Sequence, residues 1–235
     1  MGEKRDRRKA LDLIRLHLVV EGQTEETFVR VVLAPELGQY LIFADAHRIT
    51  TGRKGGRAFR GGLLQYSHLR RDLDLWMRQD AGPDSWFSTM IDLYGLPSDF
   101  PGRQPASAIP DPIRRAELLE DQFMSDIQHP RFIPYIQVHE YEALLFADPS
   151  RILAVFPARV AEVARLQADR DSAASPEHID DGQDTAPSKR IREAIPEYDK
   201  AAHGPVIAKL IGVEELRERC RHFRGWLERI KGCAS

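Results

Sequence analysis

Leu16-His17-Leu18-Val19-Val20-Glu21-Gly22-Gln23-Thr24-Glu25 is the stretch that decides the fold. An apolar, β-branched run ends abruptly in a carboxylate and a glycine; Thr24, Glu25 and Glu26 follow, then the apolar positions Phe28, Val32 and Leu33. The run predicts a buried strand, and the spacing after it predicts a helix over about 24–37 with Thr24 as its N-cap. Glu21 then stands at the carboxyl end of a strand and Glu25 in the first turn of the next helix, the edge where open α/β sheets bind ligands. Two carboxylates there suit a hard cation such as Mg²⁺. Glu25 and Glu26 also fit the role of ordinary first-turn acids favoured by the helix dipole. Glu21 is harder to explain that way, because a carboxylate directly after a buried strand is costly unless it is paired or binds a metal.

Working outward, strands are expected over 44–51, 86–91 and 132–138, the second rich in aromatic and β-branched residues. Helices are expected over 63–79 and 113–127, and helical segments from the end of the last strand to about residue 167. Residues 95–112 are proline-rich and read as an irregular excursion. Residues 51–62 carry Arg53, Lys54, Arg57 and Arg60 among glycines and read as a mobile cationic loop. Residues 169–188 are polar, with Ile179 the one large apolar residue, and read as an exposed loop or hinge. Beyond them, 188–194, 204–211 and 213–230 read as helices. The alternation of strand and helix predicts an α/β domain over 1–168, with a mainly parallel sheet flanked by helices. A helical C-terminal extension over 189–235 is expected to pack on the same domain.

Acids recur at the ends of these strands: Glu21 after the first, Asp92 after 86–91, and Glu140 and Glu142 after 132–138. Parallel strands bring those ends to one edge, where unpaired carboxylates repel unless a cation neutralises them. Glu140 and Glu142 share a face only while the backbone stays extended. If a helix begins at His139 only one can reach the cluster, and Glu140, nearer the strand end, is the preferred one.

The chain has 235 residues, of which 42% are hydrophobic, enough for one sizeable α/β domain with appendages. Net charge is −2, so any nucleic-acid contact must come from local basic clusters. No apolar run approaches a membrane span. The charged start offers no secretory leader, so a reducing cytoplasm is expected, with Cys220 and Cys233 as free thiols.

Glu21-Gly22, the Glu21/Glu25 spacing and the acid after a later strand resemble the Toprim catalytic domain of topoisomerases, primases and overcoming-lysogenization-defect nucleases. Val20–Glu25, Asp92-Leu93-Tyr94-Gly95-Leu96-Pro97, His139-Glu140-Tyr141-Glu142-Ala143-Leu144-Leu145-Phe146, Ala186–Ile191 and Cys220-Arg221-His222-Phe223 resemble a bacterial family of uncharacterised Toprim-like proteins. The resemblance implies a Toprim-like fold and Mg²⁺- or Mn²⁺-dependent action on a phosphodiester. Glu21, Glu25, Asp92, Glu140 and Glu142 would be the metal ligands, and Glu21, Glu25, Asp92 and Lys189 the catalytic groups. Toprim domains usually carry Asp-x-Asp where this chain has Asp92-Leu93-Tyr94; Asp99, Glu140 or Glu142 would have to supply a second acid.

Arg53, Lys54, Arg57, Arg60 and Arg190 are the expected contacts to nucleic acid. Lys189 could neutralise charge on a scissile phosphate; Lys200 and Lys209 are weaker candidates. His17 is expected in the core, His139 and His222 in structural roles, Tyr94 in packing or hydrogen bonding, and Phe223 and Trp226 as anchors of the C-terminal helix. The expected function is a metal-dependent nuclease acting on DNA or RNA, with defence against phage or plasmids as the role that the resemblance suggests. Its partner would be a separately encoded ATPase, because no Gly-x-x-x-x-Gly-Lys-Ser/Thr loop occurs in the sequence; self-association is compatible with it. The alternative is a catalytically weak nucleic-acid-binding or regulatory subunit.

Overall fold

The computed structural model describes residues 13–54, 57–60, 63, 65–179 and 185–234, with 51–54 and 57–60 described by their backbone alone. The elements in chain order are β1 (Ile14–Val20), α1 (Gln23–Phe28), a π turn (Val29–Leu33), α2 (Ala34–Gly38), β2 (Ile42–Arg48), β3 (Thr50–Lys54), β4 (Arg57–Arg60), α3 (Tyr66–Gln79) and β5 (Ser85–Asp92). Then come α4 (Arg103–Ala106), α5 (Pro112–Ile127), β6 (Phe132–Ile133), β7 (Ile136–Gln137), 3-10 turns Tyr141–Ala147 and Pro149–Ala154, α6 (Val160–Ser172), a 3-10 turn Pro176–His178, α7 (Pro187–Ala194), α8 (Lys200–Ile211), α9 (Val213–Arg219) and α10 (Arg221–Gly232).

The five-stranded sheet runs β2-β1-β5-β6, with β7 also on β5, and every pairing in it is parallel. The α/β class with a helical C-terminal region is therefore what the chain folds into. Strand alternation explains the two-sided core. Leu16, Leu18 and Val20 of β1 and Met90 of β5 pack into one apolar cluster with Phe28, Leu33, Phe223 and Trp226. Val19, Phe87 and Ile91 point the other way, into a second cluster with Leu69, Leu73, Leu119 and Phe123.

Thr24 is not the N-cap. Gly22 precedes α1 in extended backbone without a side-chain cap, and Thr24 lies buried inside the first turn. The π turn sits directly before α2, whose Pro35 has no N–H to offer the helical ladder.

The stretch expected to be a mobile loop is instead an antiparallel hairpin, β3 on β4, with a register irregularity between Thr50 and Gly52. A glycine is cheap at such an irregularity. The side chains of Arg53, Lys54, Arg57 and Arg60 lie outside the described residues.

The last expected strand, 132–138, is broken into β6 and β7 because Pro134 cannot donate to the ladder. Hydroxyls of β5 fill the gap. Ser88 Oγ donates to Ile133 O at 2.6 Å; Thr89 Oγ1 donates to Tyr135 O and accepts from its N–H, each at 3.0 Å.

Residues 169–179 are not an exposed loop: α6 runs to Ser172, and Glu177 and Ile179 are buried. Polar composition misleads here because the Glu177 carboxylate is satisfied inside, accepting the N–H groups of His222 and Phe223 at 3.0 Å each. It thereby caps α10, which has no side-chain cap of its own. Residues 180–184 lie outside the described residues.

The C-terminal helices pack on the same sheet as β1. Trp226 is fully buried, stacks on Tyr135 with ring centroids 4.2 Å apart, and donates from Nε1 to Ser88 Oγ at 2.9 Å. Trp226→Ala would leave a cavity in the centre of the fold and remove the N–H that Ser88 Oγ accepts. We expect it to lower unfolding free energy by about 3–5 kcal/mol, read from urea titration as one cooperative transition. A separate early transition for the C-terminal helices would contradict this packing.

Candidate functional site

Sheet register brings the strand-end acids together. Val20 pairs with both Arg48 and Met90, and Glu21 N–H donates to Met90 O at 3.2 Å, so Glu21 leaves β1 level with the end of β5. Asp92 N–H then donates to Glu21 Oε2 at 3.2 Å. Leu93 and Tyr94 N–H donate to Gln137 O and His139 O at 2.9 and 3.1 Å, drawing 137–142 to the same edge.

His139 takes the left-handed conformation, φ 62°, and Glu140 returns to extended backbone before the 3-10 turn begins. A buried histidine with positive φ stores strain of about 1–3 kcal/mol. Its ring is held at both ends: Nε2 donates to Glu177 O at 3.1 Å, so Nδ1 is left to accept from Tyr94 OH at 3.0 Å. Tyr94, expected to pack or hydrogen-bond, and His139, expected in a structural role, are hydrogen-bonded to each other. The kink delivers both acids to the cluster, not one. Glu140 Oε1 accepts Ser188 N–H at 2.6 Å, while Glu142 is fully buried and accepts from Tyr198 OH at 3.4 Å.

At the centre lies the ammonium of Lys200, from the first position of α8. Its Nζ is 3.0 Å from Glu142 Oε2, 3.2 Å from Asp92 Oδ2 and 3.9 Å from Glu25 Oε1. Glu142, not Glu140, is therefore in contact with this cation, and Lys200, ranked below Lys189 from sequence, lies among the acids. A signal was available: Asp199 is the N-cap of α8, so Lys200 sits in a first turn, where the helix dipole disfavours positive charge unless acids face it.

The acids are crowded beyond what one lysine balances. Burial, then the Asp92 charge, push Glu21 and Glu25 up to about 7. Burial pushes Glu142 up to about 7 against the pull of Lys200, and burial also raises Asp92. Lys200 is shifted upward by the Asp92, Glu142 and Glu25 charges, against the opposing effect of its burial.

Several features fit this pocket to a hard divalent cation. All its donors are carboxylate oxygens. Asp92 Oδ1 is buried and makes no hydrogen bond of ordinary geometry. Two glycines make room for the acids: a Cβ at Gly95 would lie 2.7 Å from Glu21 Oε2, and one at Gly22 would lie 3.1 Å from Glu25 Oε2. Against this, no three His, Cys, Asp or Glu side chains among the described residues stand ready to hold an ion as they are arranged; Lys200 is the cation they surround. Gly95→Ala would push aside the carboxylate end of Glu21, which accepts Asp92 N–H. We expect a modestly lowered melting temperature and at least tenfold weaker Mn²⁺ binding by calorimetry.

The remaining expected residues fall elsewhere. Arg190 pairs with Asp169 at 3.0 Å and donates to Thr185 O. Asp99 accepts the N–H of Tyr66 at the start of α3, so it supplies no second acid from its loop. His17 pairs with Asp80 at 2.9 Å among stacked rings, and His222 donates to buried Glu120 at 2.9 Å; both are structural. Glu26 pairs with Arg48 at 3.0 Å, as an ordinary surface acid does. No helix among the described residues is long and apolar enough to cross a membrane.

A family model described as a domain of unknown function, DUF4276, matches residues 20–231. No curated protein and no solved structure compared with the chain matches it.

Proposed function

This chain belongs to the DUF4276 family, and from its site we propose a divalent-metal-dependent nuclease of Toprim-like type that hydrolyses phosphodiester bonds in DNA or RNA. The observation that carries this is the convergence of Glu21, Glu25, Asp92, Glu140 and Glu142 on one end of a parallel sheet, with Lys200 between them. Glu21, Glu25, Asp92 and Glu142 would hold Mg²⁺ or Mn²⁺. The bound ion would supply a hydroxide-like water and take up charge on the phosphate. Glu140, anchored by Ser188, shapes the wall of the pocket.

The hairpin β3-β4 leaves the sheet at this edge, next to Val20 and Arg48. It would track the phosphate backbone. Changing Arg53, Lys54, Arg57 and Arg60 together to Ala should weaken nucleic-acid binding and flatten its dependence on salt, since each phosphate contact releases counterion; fluorescence anisotropy across a salt series reads both. An unchanged slope would assign the hairpin to a protein partner. A role against phage or plasmids, with a separately encoded ATPase, belongs to the same proposal.

The position of Lys200 favours one alternative. A lysine that already neutralises the acids suits a catalytically weak subunit that binds nucleic acid for a partner. Incubating the purified protein with plasmid DNA and with RNA, plus Mg²⁺ or Mn²⁺ against EDTA, separates the two. Metal-dependent cleavage lost in Glu21→Gln supports the nuclease; binding without cleavage supports the subunit.

A further inference from the structure

Resting on the metal-site proposal, we infer that Lys200 is a built-in stand-in for the divalent ion: its ammonium holds the acids together in the metal-free protein and leaves Asp92 and Glu142 when the ion enters. Three observations lead there. The Nζ touches Glu142 Oε2 and Asp92 Oδ2 at 3.0 and 3.2 Å and lies 3.9 Å from Glu25 Oε1, so it occupies the space among the acids that an ion would need. Asp92 Oδ1, buried beside it, has no hydrogen-bond partner of ordinary geometry, so the lysine does not use the full donor capacity of the pocket. The side chain also retains a way out, being 26% exposed while its Asp92 and Glu142 partners are buried.

The backbone at the start of α8 is closely held. Helix α8 is pinned at Gly204, where a Cβ would lie 3.0 Å from both Tyr141 Cε1 and Tyr198 Oη. Asp199 caps the helix by accepting Ala202 N–H at 2.7 Å. The movement is therefore a swing of the four-carbon stem into solvent. The ammonium loses the acids at a helix N-terminus that itself repels it, and water must compensate. The consequence is a competition that sets metal affinity: an ion enters only the fraction of molecules in which the lysine is out. If that fraction is roughly one in ten, the apparent affinity is about tenfold below that of the open site.

Lysine acylation by a succinimidyl ester, read by peptide mass spectrometry on the wild-type protein, tests the swing without any substitution. Lys209, exposed on the same helix, is the internal reference. Without metal, Lys200 should be labelled much more slowly than Lys209; saturating Mn²⁺ should raise its labelling about tenfold and leave Lys209 unchanged. In parallel, calorimetric titration with Mn²⁺ should show about tenfold tighter binding to Lys200→Gln than to wild type. Mn²⁺ binding with Lys200 still protected, or equal affinity in a folded Lys200→Gln, overturns the stand-in role while leaving the metal site in place. No Mn²⁺ binding to either protein overturns both the stand-in role and the nuclease proposal beneath it.

Discussion

Asp92→Asn should fold normally and lose at least a hundredfold in Mn²⁺-dependent cleavage. Asp92 ends β5, a strand buried along nearly its whole length, and its backbone is tied on both sides: its N–H donates to Glu21, and Leu93 N–H donates to Gln137 O. The substitution keeps the size and shape that this frame requires and removes one negative charge. Because burial already raises the Asp92 pKa, the amide relieves desolvation and repulsion, so the metal-free melting temperature should be unchanged or higher. A lost anionic ligand weakens the grip on an ion that stabilises transition-state charge by several kcal/mol. At about 1.4 kcal/mol per tenfold, that amounts to at least a hundredfold in rate. Melting curves with and without Mn²⁺, run beside cleavage assays, decide it. A folded variant that cleaves as fast as wild type would show that Asp92 is not a ligand and remove the proposed mechanism.

The metal-free protein should lose several kcal/mol of stability between pH 5 and pH 8, and Mn²⁺ should restore most of it. Glu21, Glu25 and Glu142 move from 4.5 when unfolded to about 7 when folded. A raised folded pKa means that the native state holds protons more tightly, so the contribution is full below about 4.5 and is lost as pH rises through about 7. Each shift alone corresponds to roughly 3 kcal/mol. The acids share one pocket and repel one another, so their contributions overlap and the total is on the order of several kcal/mol. Scanning calorimetry in EDTA at pH 5, 6.5 and 8 should show falling midpoints, with the fall reduced in Glu142→Gln and nearly abolished by Mn²⁺. A flat profile in EDTA would mean that the acids are ionised and balanced without metal.

The parallel sheet and the strand-end acids were legible from the sequence because both follow from local rules. A buried strand demands an apolar run, and a carboxylate immediately after it stands out against that run; Glu21, Asp92, Glu140 and Glu142 each carry that contrast. Where the chain satisfies its polar groups over long distances, local rules fail. Glu177 reads as part of an exposed loop, yet α10, about forty-five positions away, supplies the N–H groups that allow it to be buried. The strand over 132–138 reads as continuous, yet Pro134 breaks it and hydroxyls on β5 close the gap. The cationic segment reads as a loop because glycines signal freedom, whereas Gly52 lies at a register irregularity within paired strands.

By itself the sequence placed acids after three of its strands and, through the alternation of strand and helix, the parallel direction that carries those ends to one edge. Only the tertiary structure decided which cation meets them. Lys189 and Lys200 both lie in first helical turns, and both helix starts reach the carboxyl edge, α7 through Ser188 N–H on Glu140 and α8 through Lys200; the sequence does not say which ammonium enters the cluster. That choice was made by the close packing of α8 at Gly204 and by the left-handed kink at His139, which turns Glu142 inward. Both are contacts between segments far apart in the chain, where the free energy of burying a charge depends on what folds against it.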